Sequence, residues 1–310
     1  METQAMETAA QPSQAIPAGT TAETQPASVT PQAVTAAACS SCAANQAGAQ
    51  PAVQPLPPPC IYVIGHIEPR FPRLSVEKEA HQATQRVGAS KDTDREVMKK
   101  VLSDPKNKYL VRQLCWVLSV QGIETYILIP RDGDYQPLID AYRAEPNPGD
   151  IELVIGVRGP IANPDMCNGL MVPIVIFDQI YDFDRKSLLD GIRKPKDPDP
   201  NFAKAAGEMF DHLVQQSDNA GATDADRALN YLAVRYEGPY HLAAQQFASN
   251  ASFTAIDVAP SRLSGTRKIV DVVFSFTDRA TDVVSKSFTR VDVTECFPFL
   301  VTKMSPYYDR

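Results

Sequence analysis

The six cysteines are the residues of this sequence with the clearest potential for chemistry. Cys39 and Cys42 are separated by two residues, a spacing at which two thiolates can bind one tetrahedral zinc ion. They supply only half of such a site. The remaining candidates are Cys60, Cys115, Cys167, Cys296 and His66. The alternatives are that the pair is a redox motif or has no role, and that an isolated cysteine is a small core residue.

Four charged residues form a second candidate group, because they lie at or just beyond the ends of predicted strands: Glu68, Arg70, Arg158 and Asp178. Ligand clefts of open α/β sheets lie at strand ends. The two carboxylates could orient a peptide amine or side chain, and the two guanidinium groups could hold a carboxylate. The alternative is a structural network of ion pairs.

Motifs of known catalytic sites are absent from the sequence. There is no Gly-x-Ser-x-Gly and no His-Glu-x-x-His, and the run from Gly156 to Pro160 lacks the spacing of a phosphate loop. Of the four histidines, three fall on predicted helices, and we interpret them as surface or cap residues. His66 falls on a strand, either as a ligand or, as we favour, as a buried, hydrogen-bonded side chain. We therefore predict no catalytic residue. The alternative is an enzyme of unrecognised type that uses Cys115 or Cys167.

Composition limits the classes of function. A net charge of −7 argues against a nucleic-acid-binding surface. The sequence contains no run of 18 apolar residues, the length needed to span a membrane. Without a signal peptide, the cysteines are expected to be reduced and the protein to be cytoplasmic. Residues 1–59 contain no Lys or Arg and little aliphatic patterning, so they are predicted to form a disordered tail rich in Ala, Pro and Gln.

The elements that would position these side chains fall into two predicted units. Alternating strands and helices predict an α/β domain at residues 60–195, with β-branched runs near residues 151–157 and 171–177 as buried strands. Its third helix is predicted over Lys108–Val120 and carries Cys115. A proline-rich linker precedes an α+β domain at 196–310, where three helices are followed by alternating strands.

Several runs of this sequence resemble one family, the C-terminal domain of unknown function of PatG and PatA type cyanobactin maturation proteins. The runs are Ile67–Pro72, Val76–Glu79, Leu114–Leu118, Met166–Pro173, Phe177–Tyr181, Asp218–Thr223 and Ser305–Arg310. The resemblance covers roughly Ile61 to Arg310. In that family the domain trails a subtilisin-like protease, whose motifs are not found in this sequence.

The resemblance favours Cys115 and Cys167 as partners of Cys39 and Cys42 in a zinc site, because both lie in matched runs, whereas Cys60 and Cys296 do not. It implies a setting in ribosomal peptide maturation. We therefore expect a non-catalytic accessory protein that binds a precursor peptide or a maturation enzyme, with zinc as the candidate cofactor and a homodimer as a candidate assembly.

Overall fold

A computed structural model describes residues 59–87, 92–192, 201–216 and 218–308. The predicted tail, with Cys39 and Cys42, lies outside the described residues apart from Pro59. Residues 55–310 form one compact unit that contains two β-sheets and the helices packed on them. The mixed α and β class predicted from the sequence is confirmed.

The first sheet is a closed five-stranded barrel. Its elements are β1 (Cys60–Arg70), α1 (Leu74–Val87), α2 (Asp94–Ser103), a 3₁₀ turn (Pro105–Asn107), α3 (Lys108–Gln113), β2 (Cys115–Val120), β3 (Ile123–Pro130), α4 (Gln136–Ala141), β4 (Asp150–Ile161), β5 (Pro173–Asp184) and α5 (Arg185–Gly191). The strand order around the barrel is β1-β2-β3-β5-β4, and the β3–β5 pair alone is parallel. This is the arrangement of an OB-type barrel, in which ligands bind beside the β1–β2 and β4–β5 connections.

The second sheet is an antiparallel meander that follows three helices. Its elements are α6 (Phe202–Val214), α7 (Asp224–Arg235), α8 (Gly238–Ala248), β6 (Ala251–Pro260), β7 (Ile269–Asp278), β8 (Val284–Asp292) and β9 (Phe299–Pro306), and the strands lie in sequence order. The predicted segregation of helices from an antiparallel sheet is confirmed here. None of the helices in the described part of the chain is long and apolar enough to cross a membrane.

Two large apolar clusters make up most of the core. One contains barrel residues such as Val63, Trp116 and Val175 together with residues of α1 to α4. The other joins Tyr62 and Leu153 on the opposite face of the barrel strands to α6, α7, α8 and the second sheet. The two predicted domains thus share a core. The boundary predicted at residues 194–200 lies outside the described residues and stays a prediction.

Helix caps show how local sequence sets the helix starts. Thr93 and Thr223 each form a capping box, with Glu96 and Asp226 respectively, as the residue types predict. Asn107 precedes α3 but does not cap it, and its side chain donates instead to the carbonyl of Val101 at 2.9 Å.

The predicted helix over Lys108–Val120 is wrong beyond Gln113. Leu114 is extended, with φ −67° and ψ 150°, and the chain continues as β2 between β1 and β3. The apolar run Leu114–Leu118 fits a helical stripe and a fully buried strand equally well in sequence. Hydrogen bonding to both β1 and β3 favours the strand. In this strand Trp116 is buried, and its Nε1 donates to the carbonyl of Val111.

Candidate functional site

The barrel carries a depression at the loops that follow β1 and β4, which we call the cleft. Pro72 and Arg73, between β1 and α1, form one side. The β4–β5 loop forms the other, and its lining residues are Pro164, Asp165, Asn168 and Gly169. The volume of the cleft is about 560 Å³. It lies where the strand order of an OB-type barrel places ligands.

Three of the sequence runs singled out above are linked beside the cleft. Arg70, in the run Ile67–Pro72 and at the end of β1, pairs across the sheet with Cys115 in the run Leu114–Leu118. Cys115 is joined by a disulfide to Cys167, in the run Met166–Pro173. Two of these runs supply Pro72, Asn168 and Gly169 to the cleft, whereas the other lining residues and the disulfide were not singled out in the sequence.

The β4–β5 loop is held in place by more than this bond. Cys167 is fully buried and packs with Val117, Ile127 and Ala162 in a small apolar cluster. Inside the loop, the N–H of Gly169 donates to the carbonyl of Pro164 at 2.8 Å. A φ of +85° at Gly169 is a conformation that glycine adopts without strain. The cleft wall is thus fixed to the outer face of β2 and β3.

Two opposite charges face solvent on the two sides of the cleft. Arg73 and Asp165 are both exposed, and neither side chain forms an ion pair within the described residues. Nearby Arg70 differs, because its Nη1 donates to both carboxylate oxygens of Glu124 at 2.6 Å. The cleft therefore offers one guanidinium and one carboxylate that are free to bind a ligand.

The four charged residues predicted at strand ends do not come together. Besides Arg70, two of the four have partners: Glu68 pairs with Arg95 at 2.7 Å, and Asp178 pairs with Arg131. Arg158 is exposed and forms no ion pair with any described residue. Its N–H donates to the carbonyl of Pro59, beside the start of β1, whereas Glu68 and Arg70 lie near the end of that strand. Three of the four thus belong to ion pairs, and their role in peptide binding stays a prediction.

The expectation of reduced cysteines is wrong for the four in the described residues, because Cys60 is joined to Cys296 and Cys115 to Cys167. The predicted zinc set of Cys39, Cys42, Cys115 and Cys167 needs four thiolates, and a disulfide sulfur is not one. No cluster of His, Cys, Asp and Glu suited to a metal occurs in the described part of the chain. The residues present therefore do not form this site in the oxidised protein.

A titratable pair that the sequence did not predict links β1 to β4. His66 Nδ1 is 3.4 Å from Glu152 Oε2, and the Glu152 side chain is 5% exposed against 54% for His66. Contact with the Glu152 carboxylate raises the pKa of His66, and burial raises the pKa of Glu152. The expectation of a buried His66 is wrong, because its side chain is 54% exposed, and its hydrogen-bonding role stays a prediction.

Further ion pairs surround this pair and make it part of a larger network. Arg143 contacts Asp182 and lies 2.9 Å from Asp150, which is 4% exposed. The Nε of Arg95 donates to the backbone carbonyl of Arg143. The only sequence signal for this network was two acidic residues, Asp150 and Glu152, at the start of an otherwise apolar strand.

Comparison with known proteins confirms the resemblance seen in the sequence. A family model described as PatG C-terminal matches residues 196–307. A solved structure described as "PatG Domain of Unknown Function" is similar with a TM-score of 0.64 and 20% identity, over 80% of this chain and 98% of that chain. This likeness shows a common fold, which includes more of the chain than the family model. A search of curated proteins found no match.

Proposed function

We propose that this protein is a non-catalytic accessory protein that binds a precursor peptide in cyanobactin-type peptide biosynthesis, and that the peptide binds in the cleft. The similarity to a PatG-type domain of unknown function supports the biosynthetic setting. The observation that carries the proposal is a pair of exposed charges, Arg73 and Asp165, on the two loops that form the cleft, neither of which forms an ion pair with a described residue.

The chemistry of the cleft suits an extended peptide. Arg73 can donate to a backbone carbonyl or a carboxylate, and Asp165 can accept from an amide or an amine. Ile161 and Met171, at the base of the β4–β5 loop, are 64% and 60% exposed and offer apolar contact beside the charges. A polyanion suits it less well, because the chain has a net charge of −7.

Calorimetric titration of the full chain with a synthetic precursor peptide encoded beside its gene tests the proposal. We expect saturable binding, weakened about tenfold or more by Arg73→Gln and by Asp165→Asn, because each change removes a charge-assisted hydrogen bond. Arg262→Gln, an exposed arginine in the β6–β7 connection, serves as the matched control and leaves affinity unchanged.

The same titration separates this site from the charged residues first predicted. Arg158→Ala weakens binding if the strand-end residues contribute, and leaves it unchanged if the cleft alone binds the peptide. Equal affinity of the wild type, Arg73→Gln and Asp165→Asn would contradict the cleft. Conversion of the peptide by the purified protein, followed by mass spectrometry, would instead support the alternative of an enzyme of unrecognised type.

A further inference from the structure

We propose that a second pocket, between α6, α8 and the β6–β7 hairpin, binds an apolar group that carries a carboxylate. This pocket lies within residues 196–307 and shares no residue with the cleft, so the inference does not rest on the proposed function. Two sources fit this chemistry: the C-terminus of a peptide that ends in an apolar residue, and a free aryl or alkyl carboxylic acid.

Apolar side chains form the floor of the pocket, beneath a polar rim. Met209 and Phe276 are 1% and 2% exposed, and three small residues, Ala205, Ala243 and Ala251, leave the space open between them. The volume is about 120 Å³. Apolar cavities of roughly 150 Å³ accept benzene, so a phenyl ring or a branched alkyl group matches this space.

The walls of the pocket are aromatic. Phe247 comes from α8 and Phe253 from β6, and the ring of His212 on α6 stands 4.4 Å from the ring of Phe253. Phe253 also packs edge-on against Phe276, with ring centroids 5.7 Å apart. An aromatic or aliphatic group entering the pocket would thus meet rings on two sides.

The rim supplies a cation without an acidic partner. The Nε of Arg279 donates to the hydroxyl of Ser252 at 2.6 Å, and its guanidinium lies 5.1 Å from the Phe247 ring centroid. Among the described residues no carboxylate pairs with Arg279. Neighbouring Asp278 instead accepts hydrogen bonds from the N–H groups of Ala280 and Thr281.

The rim also carries one acidic residue. Glu208 lies 4.0 Å from the ammonium group of Lys204, one helical turn earlier on α6, and both side chains are exposed. With Lys204 and Arg279 positive and Glu208 negative, these three side chains leave one positive charge at the mouth. An anionic group beside the apolar interior is the complement of this arrangement.

Small probes test the inference by chemical-shift titration of the full chain. N-acetyl-L-phenylalanine should saturate shifts of the pocket residues, and N-acetyl-L-phenylalaninamide and N-acetylglycine should each bind about tenfold more weakly, because one lacks the carboxylate and the other the ring. The probe 3-phenylpropanoate distinguishes the sources. Binding as tight as that of N-acetyl-L-phenylalanine supports a free acid, and weaker binding supports a peptide C-terminus.

Variants tie the binding to the pocket. Arg279→Gln should weaken binding of N-acetyl-L-phenylalanine about tenfold, and Ala243→Leu should abolish it by filling the space; if Ala243→Leu does not fold, Arg279→Gln still decides. Arg262→Gln and the cleft variant Arg73→Gln should bind the probe like the wild type. No saturation by either acid, or equal binding of the amide, would overturn the proposal.

Discussion

The loop before α7 shows how single residues fix the joint between the helices and the barrel. Asn230 donates to the carbonyl of Tyr62 at 2.9 Å and accepts from Asn219 at 2.8 Å. The N–H of Tyr62 donates to the carbonyl of Gly221, whose φ is +67°. The run Asp218–Thr223, which resembles the family, thus has a structural role. A Cβ at position 221 would lie 2.5 Å from the Cβ of Val63.

Gly221→Ala is therefore predicted to lower the free energy of unfolding by about 3 kcal/mol, from left-handed backbone strain together with the clash against β1. Gly133→Ala is the matched control. Its φ is +75°, but nothing lies within 4 Å of the added methyl group, so about 1 kcal/mol is expected. Urea unfolding followed by Trp116 fluorescence measures both. Equal losses would contradict the clash.

The second residue-scale prediction concerns His66 and Glu152. Because contact with the Glu152 carboxylate raises the pKa of His66, proton NMR should show His66 titrating above its usual pKa of 6.5, and lower in Glu152→Gln. A raised pKa in the folded state means that the stabilisation is complete below pH 6.5 and is lost as pH rises through the folded value. Burial raises the pKa of Glu152 as well, which acts in the same direction.

The free energy of unfolding of the wild type should therefore fall more steeply than that of Glu152→Gln as pH rises above 6.5. His81→Asn is the control, because His81 is an exposed residue of α1. Parallel pH profiles for the wild type and Glu152→Gln would show that the contact does not contribute.

At the scale of elements, the sequence predicted those whose pattern has one interpretation. The three helices of the second predicted domain and the alternating strands that follow them were found, because residue type and period agree there. Strand β2 was missed because a five-residue apolar run shows neither the periodicity of a helix nor that of a half-buried strand. The closing of the barrel, which brings β3 beside β5, depends on pairing between distant segments and leaves no local signal.

The same reason explains what was found of the candidate site. Its runs were identified by resemblance, but Arg73 and Asp165 carry no spacing signal, and only the fold places them opposite each other. The disulfides were missed because residue spacing does not give connectivity. Since disulfides persist mainly in oxidising compartments, the cytoplasmic location stays a prediction that these bonds do not favour.

The double change Cys115→Ser and Cys167→Ser tests the element that carries the cleft. The bond joins residues 52 positions apart, so its loss should lower the free energy of unfolding by roughly 4 kcal/mol through the entropy of the unfolded chain. It should also weaken peptide binding, because the β4–β5 loop loses its link to β2. Calorimetry and peptide titration measure the two effects. The reduced wild type is the control. If only the β4–β5 loop is affected, it should bind the peptide with the same affinity as the variant.

For the whole molecule, the barrel and the second sheet are connected in two ways. Leu232 on α7 is fully buried in the apolar cluster that joins β1 and β4 to the second sheet. The disulfide between Cys60, at the start of β1, and Cys296, between β8 and β9, links residues 236 positions apart. Because the two parts share a core and are joined by a disulfide, they should unfold in one transition.

Leu232→Ala tests this cooperativity, because the residue lies in one core cluster and Trp116, the only tryptophan, lies in the other. Removing the leucine side chain should cost about 3 kcal/mol. Thermal unfolding should show one calorimetric peak, and the Trp116 fluorescence transition should move down with it by roughly 6–12 °C. Leu263→Ala, at a residue 61% exposed, should move neither. If the two predicted domains unfold independently, the Trp116 transition will stay in place while a second peak moves.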